Sequence, residues 1–214
     1  MNRRTLLALL PILALPGAAR AEVIALTDRD RTDLARIQAY LNSVHSLKAQ
    51  FLQVAANGSV ARGTAWLDRP GRMRFQYDPP SPLLLVAGHG LVVFHDAQLN
   101  QTSNIPLSRT PLGILLADQV RLSGPVKVTG MQRLPGMISV TLVRPSTIAD
   151  GSLTLVFADN PLTLRQWTVL DAQHQETRVT LYDVQLGGHF KDTLFDFIDR
   201  GFPNGTPLAP SGGG

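Results

Sequence analysis

The chain has 214 residues, of which 20 are lysine or arginine and 16 are aspartate or glutamate, so its formal net charge is +4. It contains no cysteine, which excludes disulfide bonds, thiol catalysis and a cysteine-linked lipid anchor. This length fits one domain with a sizeable hydrophobic core.

The first 21 residues, MNRRTLLALLPILALPGAARA, predict a secretory signal peptide. Arg3 and Arg4 form a basic start, residues 6–15 form an apolar run, and residues 19–21 fit the small-x-small cleavage pattern. A buried N-terminal helix is the alternative interpretation. The arginine pair matches the twin-arginine signal only weakly, so the sequence favours Sec over Tat export. We therefore expect export and cleavage near Ala21.

Removal of the signal peptide changes the charge balance. Residues 1–21 contain three arginines and no acidic residue, so 17 basic and 16 acidic residues remain and the mature net charge is +1. A nucleic-acid-binding domain typically carries a basic face. The composition therefore gives no support for a nucleic-acid partner.

The first predicted element of the mature chain is a helix over residues 28–44. Four apolar residues recur at helical spacing, namely Leu34, Ile37, Leu41 and Val44. Thr27 and Asp30 stand three residues apart just before them, which is the spacing of a capping box. We expect an amphipathic helix with one apolar face.

After this helix, alternating apolar and polar residues predict strands almost to the end of the chain. Turn residues separate the strands at intervals of roughly ten residues, as in a sandwich or barrel. We count about ten or eleven antiparallel strands and so predict a mainly β (α+β) fold. A sheet that long tends to curl, and its apolar concave face then needs a filling or a cover.

Two later segments depart from the strand pattern. RTPLGILLAD, residues 109–118, predicts a short helix in which Thr110 caps and Pro111 takes the first helical position. Its apolar residues point in too many directions for a surface helix. Residues 204–214 are rich in glycine and proline and predict a disordered tail, which leaves residues 22–203 as a single domain.

The sequence offers little catalytic chemistry. His89 and His95 lie at the two ends of one predicted strand, about 20 Å apart, which is too far for a shared metal ion. The aspartates at strand ends are the residues that turns favour. No metalloprotease, nucleophile-elbow or phosphate-loop motif is present. We therefore predict no enzyme activity, no metal site and no cofactor.

Several stretches, taken in order, resemble the periplasmic outer-membrane lipoprotein carriers of the LolA family. The most specific is GTAWLDRPGRMRFQYDPP, residues 63–80, where the matching residues are Gly63, Trp66, Arg69, Pro70, Met73 and Phe75. The other stretches are LARIQAYLNSVHSLKAQFLQ, LVVFHDAQLNQTS, TPLGILLAD and LRQWTVLDAQHQETRVTLYDVQ followed by LFDF. The resemblance covers nearly all of residues 28–199.

The resemblance implies an incomplete antiparallel β-barrel covered by a helical lid. Proteins of this family are monomeric, non-enzymatic chaperones that shield lipoprotein acyl chains in a hydrophobic cavity. They accept lipoproteins from an inner-membrane ABC complex and deliver them to a LolB-type acceptor at the outer membrane. By this resemblance Arg69 is a lid tether, and the acyl cavity is lined by Trp66, Met73, Phe75, Phe94, Leu112, Leu115 and Leu116.

The hairpin in residues 63–80 permits a prediction of side-chain orientation. A two-residue turn at Pro70-Gly71 would pair Trp66 with Phe75 and turn both toward the cavity. The same turn would place Arg69 on the opposite face, and a longer loop or a bulge near Pro70 would re-aim it. Arg72 and Arg74 are expected to be solvated, since exposed arginines are ordinary.

Two other functions remain open at this stage. A lipid- or lipoprotein-binding sensor could share the fold, and so could a structural or polymer-binding envelope protein. The carrier interpretation predicts a solvent-accessible apolar space between the sheet and the helices, whereas the structural protein would have that space filled by side chains.

Overall fold

The computed structural model describes residues 25–145 and 151–197. The predicted signal peptide and tail lie outside the described residues. The first element is α1 (Asp28–Ser43). Its capping box is confirmed, because the Thr27 side chain accepts a hydrogen bond from the Asp30 backbone while Asp30 accepts one from the Thr27 backbone. The reciprocal pair satisfies two amide groups that a helix start leaves free.

Within residues 25–145 and 151–197 eleven strands follow, in agreement with the ten or eleven that the alternating pattern predicted. They are β1 (Ser46–Val54), β2 (Val60–Asp68), β3 (Arg72–Tyr77), β4 (Leu83–Gly88), β5 (Leu91–Asp96), β6 (Gln101–Pro106), β7 (Lys127–Leu134), β8 (Met137–Val143), β9 (Ser152–Ala158), β10 (Thr163–Leu170) and β11 (Glu176–Leu186).

These strands form one antiparallel sheet in the order β6-β5-β4-β3-β2-β1-β11-β10-β9-β8-β7. Within the described residues β6 and β7 are the two edges, and they do not pair with each other. The predicted incomplete barrel is therefore confirmed.

The concave face of the sheet carries the hydrophobic core. Inward side chains from the central strands, such as Phe51, Phe75, Phe157 and Leu181, join one buried cluster with Ile37 of α1. Helix α1 thus lies across the concave face, where its apolar stripe loses contact with water. Burial of each such side chain stabilises the fold by roughly 1.5–3 kcal/mol.

The residues between β6 and β7 form what we call the lid segment, residues 107–122. It contains a 3-10 turn (Leu107–Arg109) and the one-turn helix α2 (Leu112–Leu115). The short helix was predicted, but the cap was not placed correctly. Thr110 ends the 3-10 turn and its hydroxyl donates to the Leu107 carbonyl, so Pro111 precedes α2 without a side-chain cap.

The β2–β3 hairpin differs from the predicted pairing. Three residues, 69–71, connect the strands, so Phe75 lies opposite Ala65 and Trp66 lies opposite Arg74. A one-residue change in register moves side chains to the other face of a sheet. Gly71 adopts a φ of 72°, a left-handed conformation that three-residue hairpin loops require and glycine supplies without strain.

A segment that the sequence did not reveal crosses the convex face. We call it the strap, residues 187–197, and it contains a 3-10 turn (Asp192–Phe195). Phe197 packs with Val86 and Val93 in a small cluster separate from the main core. Gly88 lies directly beneath it, since a Cβ there would stand 2.7 Å from the Phe195 carbonyl oxygen.

Candidate functional site

The space between the concave face, α1 and the lid segment is the candidate site. Four of the predicted lining residues, Met73, Phe75, Leu115 and Leu116, meet there and are almost fully buried in the main core cluster. Leu112 is partly buried and packs against the same cluster. The leucines of the lid segment therefore rest directly on the aromatic and aliphatic side chains of the sheet.

Beneath α1 and the lid segment, side chains of the described residues fill the space, which differs from the open apolar space that the sequence led us to expect. A void beside Arg69, between α1, the lid segment and the start of β1, measures about 10 Å³. That is room for at most a single water molecule. The physical reason is that Leu115 and its neighbours occupy the volume that the prediction left empty.

Two predicted lining residues lie outside the covered part of the concave face. Trp66 is on the convex face and takes no part in the concave core, because the hairpin register places it opposite Arg74 and Lys48. Phe94 does face the concave side, opposite Leu85, but it is 36% exposed. Ile105 on β6 is 48% exposed, so the concave face is uncovered near the β6 edge.

Arg69 binds the end of α1. Its Nε donates to the Val44 carbonyl oxygen at 2.9 Å, and one terminal nitrogen also donates to the carbonyls of Leu41 and Val44. The last carbonyls of a helix lack partners within it and favour a nearby cation. The three-residue loop, foreseen as one possible way to re-aim this side chain, places it there.

The same loop also holds the lid segment, although Arg69 itself does not bond to it. The Gly71 amide donates to the Leu116 carbonyl oxygen at 2.8 Å. Burial lowers the pKa of Arg69, and attraction to Asp118 of the lid segment opposes that shift. The other terminal nitrogen of Arg69 is buried and has no hydrogen-bond partner among the described residues. The hairpin loop is thus the point at which α1 and the lid segment meet.

Polar bonds also fasten the rim of the lid segment. Asn42 of α1 donates to the Val120 carbonyl at 3.0 Å and accepts from the Val120 amide at 2.9 Å. Gln38, one turn earlier, accepts from the Leu122 amide at 3.0 Å. Arg144, after β8, donates to the Ser108 carbonyl at 2.7 Å. The lid segment is apolar underneath and hydrogen-bonded at its edges.

Sequence reasoning missed Asn42 and Gln38. They lie four residues apart, the spacing that places two side chains on one side of a helix. They also flank the apolar stripe of α1, a position from which polar side chains reach a neighbouring backbone. That spacing was the signal available in the sequence.

The N-terminal half of α1 is held by an ion-pair network. Arg133 on β7 contacts Asp30 at 2.7 Å and Asp33 at 2.8 Å, and Arg36 joins Asp33 to Asp159. Hydrogen bonds from Thr27, and then from Arg133, lower the pKa of Asp30 to about 2. Burial works against the ionised form of Asp33, but Arg133 and Arg36 outweigh it and lower its pKa. Helix α1 is thus fixed at both ends.

The described residues contain no group of three or more side chains suited to hold a metal ion. Among the same residues, no helix combines the length and apolar character needed to cross a membrane.

Comparison with known proteins places these features in context. The family model described as "Outer membrane lipoprotein carrier protein LolA" matches residues 42–198. The chain is 28% identical over 211 residues to an outer-membrane lipoprotein carrier protein of Chromohalobacter salexigens, covering 94% of each chain. It is 26% identical over 200 residues to the carrier protein of Methylococcus capsulatus, covering 89% of this chain and 91% of that one.

Among solved structures, a LolA superfamily protein from Nitrosomonas europaea aligns with 76% of this chain and 96% of its own, with a TM-score of 0.42 and 7% sequence identity.

Proposed function

This chain belongs to the LolA family of outer-membrane lipoprotein carrier proteins, and from that membership we propose that it carries lipoproteins across the periplasm. In this proposal the signal peptide directs export, and the mature monomer takes lipoproteins from an inner-membrane ABC complex. It then delivers them to a LolB-type acceptor at the outer membrane. The acyl chains of the lipoprotein occupy the concave face during transfer.

The observation that carries the proposal is an apolar face beneath a cover of leucines that is hydrogen-bonded at its edges. Met73 and Phe75 on the sheet belong to the same buried apolar cluster as Leu115 and Leu116 of the lid segment. Acyl chains that replaced the lid leucines would bury similar apolar area, at about 0.8 kcal/mol for each CH₂. Exchange between leucine and acyl chain is therefore nearly balanced, which suits a carrier that must also release its cargo.

The closed interior is compatible with this function because few bonds keep it closed. The rim contacts of Gly71, Asn42 and Gln38 are neutral hydrogen bonds, each with a net contribution of about 0.5–1.5 kcal/mol. Arg144 adds a charge-assisted bond to the Ser108 carbonyl, which contributes about 1.5–3 kcal/mol. Their sum is a few kcal/mol, which is the range in which a ligand can shift a two-state equilibrium. We propose that Arg69 supports the closed state by holding the end of α1 against the hairpin loop.

A release assay tests the proposal. Purified mature protein is added to spheroplasts that display a newly made, acylated lipoprotein, and the soluble fraction is analysed for a one-to-one complex. The same lipoprotein with its lipid-bearing cysteine replaced is the control. We expect release of the acylated form only. Absence of a soluble complex, or equal binding of the unacylated control, would refute acyl-chain carriage.

A further inference from the structure

Trp66 occupies an unexpected position between two cations. On the convex face Lys48 lies directly across from Trp66 on one side, and Arg74 lies directly across on the other. The Lys48 ammonium stands 5.8 Å from the centre of the Trp66 ring, within the range of a cation–π contact. The indole is half-buried although it packs outside the main core.

The strap completes a groove over this aromatic ring. The groove, which we call the basic groove, has a volume of about 540 Å³ and is lined by Trp66, Arg74, Gln76, His189, Phe190, Lys191, Thr193 and Leu194. Trp66 and Phe190 supply apolar surface, whereas Arg74 and Lys191 supply positive charge. Lys48 adds a third cation at the Trp66 edge.

Within the described part of the chain, Arg74 and Lys191 face no acidic side chain in the lining of the groove, while Lys48 lines a neighbouring cleft together with Asp183. Arg74 is half-buried, and the partners of its guanidinium are neutral: the Leu194 carbonyl oxygen at 3.2 Å and the Gln76 Oε1 at 2.8 Å. Burial lowers the pKa of Arg74.

The adjacent arginine on the same strand shows the contrast. Arg72 forms ion pairs with Asp68 and Asp192. Asp192 belongs to the strap, but it lines the neighbouring cleft together with Arg72 instead of the basic groove. The ion pairs therefore balance the charge of Arg72, whereas Arg74 faces the open aromatic groove without an acidic partner in its lining.

We propose that the basic groove binds an acidic, partly apolar peptide segment of a partner protein. A carboxylate would take the place between Arg74, Lys191 and Lys48, and an apolar neighbour would pack on Trp66 and Phe190. Cation-lined sites on a protein surface steer and orient acidic partners. This inference is independent of the carrier proposal, since the groove lies on the opposite face of the sheet from the lid segment.

The shape of the groove favours a peptide over a membrane surface. Arg74 is recessed, with its guanidinium bonded to the strap backbone, so a flat bilayer could contact the exposed Lys48 and Lys191 but not Arg74. Membrane-binding surfaces usually insert apolar side chains into the interface. Here the aromatic rings line the groove and do not project from it.

Fluorescence anisotropy of a labelled peptide tests the proposal. The probe is a fluorescein-labelled hexapeptide of alternating glutamate and leucine, with a glutamine–leucine hexapeptide as the uncharged control. We expect the mature protein to bind the acidic peptide and not the uncharged one. Binding should weaken as salt rises from about 0.05 to about 0.3 M, because salt screens exposed charges.

Two surface variants locate the site. Lys48→Gln with Lys191→Gln should weaken binding of the acidic peptide by about twofold to thirtyfold, since each exposed charge pair contributes modestly. Lys127→Gln on β7 changes an exposed lysine on a distant strand and should leave affinity unchanged. An unchanged melting temperature for both proteins would exclude misfolding as the cause.

Two results of these measurements would overturn the proposal. Equal binding by the double variant and by Lys127→Gln would overturn the proposal, as would equal binding of the uncharged peptide. Sedimentation with vesicles of phosphatidylglycerol and phosphatidylcholine tests the alternative, which is that the groove binds a membrane surface. Vesicle binding that needs Lys48 and Lys191, without peptide binding, would assign the groove to a membrane surface instead.

Discussion

The two faces of strands β2 to β5 are covered in different ways. On the concave face the leucines of the lid segment join the buried cluster that contains Met73 and Phe75, and the hydrogen bonds of Asn42 and Gln38 fasten its rim. On the convex face the side chains of Arg72 and Arg74, which lie on β3 beneath the strap, donate hydrogen bonds to it. The concave cover suits exchange for a ligand of similar polarity, whereas the convex cover combines a small apolar cluster around Phe197 with charged side-chain bonds to the strap.

The largest expected effect is a difference in stability between truncations in the sheet and truncations in its concave cover. Leu155 on β9 is fully buried, and Leu155→Ala should destabilise the protein by about 2–5 kcal/mol, as in other core truncations. Leu115→Ala in the lid segment should lower the free energy of unfolding by less. Its effect cannot exceed the free energy that holds the lid closed, because the lid then opens while the sheet stays folded. Urea unfolding of both variants measures the difference. Equal costs would mean that the lid is a permanent part of the core.

The second expected effect concerns Arg69. Arg69→Leu removes charge-assisted bonds to the end of α1, a loss of about 1.5–3 kcal/mol, and should shift the population toward an open interior. Binding of a hydrophobic dye should therefore equal or exceed that of the wild type, while transfer of a lipoprotein to a LolB-type acceptor should fall.

Arg69→Lys is the matched control, because it keeps the charge but loses the planar fork that reaches two carbonyls. We expect intermediate dye binding and transfer. A leucine variant with a slightly lower melting temperature, unchanged dye binding and normal transfer would show that Arg69 is only a turn residue.

A smaller effect is expected at the rim of the lid segment. Asn42→Ala removes both hydrogen bonds to Val120 and should reduce the free energy that holds the lid closed by about 1–2 kcal/mol. Hydrogen exchange of the Val120 amide should accelerate by about tenfold, because local opening frees this backbone before the sheet unfolds. Amides of β9 serve as the internal reference. Uniform acceleration across both regions would indicate global destabilisation and not lid opening.

The smallest effect is predicted on the convex face. Arg72→Gln removes ion pairs with Asp68 and Asp192, and partly exposed pairs contribute about 0.2–1 kcal/mol. Trypsin should then cut more readily at Lys191 in the strap, while dye binding stays at the wild-type level. Arg178→Gln, which breaks the exposed pair with Glu176, is the control and should change neither. Increased dye binding in Arg72→Gln would show that the two faces are coupled.

The sequence was informative where a pattern is local. The 3.6-residue spacing of Leu34, Ile37 and Leu41 predicted α1, the Thr27–Asp30 pair predicted its cap, and period-two alternation predicted the strands of an incomplete barrel. These signals depend on neighbouring residues only, so they are visible without the fold.

Three features of the site depended on information that no local pattern holds. The β2–β3 loop has three residues instead of two, which moved Trp66 from the expected concave position to the convex face. The strap has no periodicity, and its position comes from contacts with Arg72 and Arg74 about 120 residues earlier. Filling of the interior by Leu115 is a matter of tertiary packing, which composition does not reveal.

The unpaired edges of the sheet have a consequence for the width of the barrel. In the part of the chain that the structure describes, every neighbouring pair of strands is joined by ladder hydrogen bonds, whereas β6 and β7 are the two edges and do not pair. Widening the barrel along this line would break no backbone ladder, and the lid segment that links the two strands would move with it. On the proposed function, this freedom would let the girth of the molecule adjust to acyl chains of different number and length at little cost in backbone hydrogen bonding.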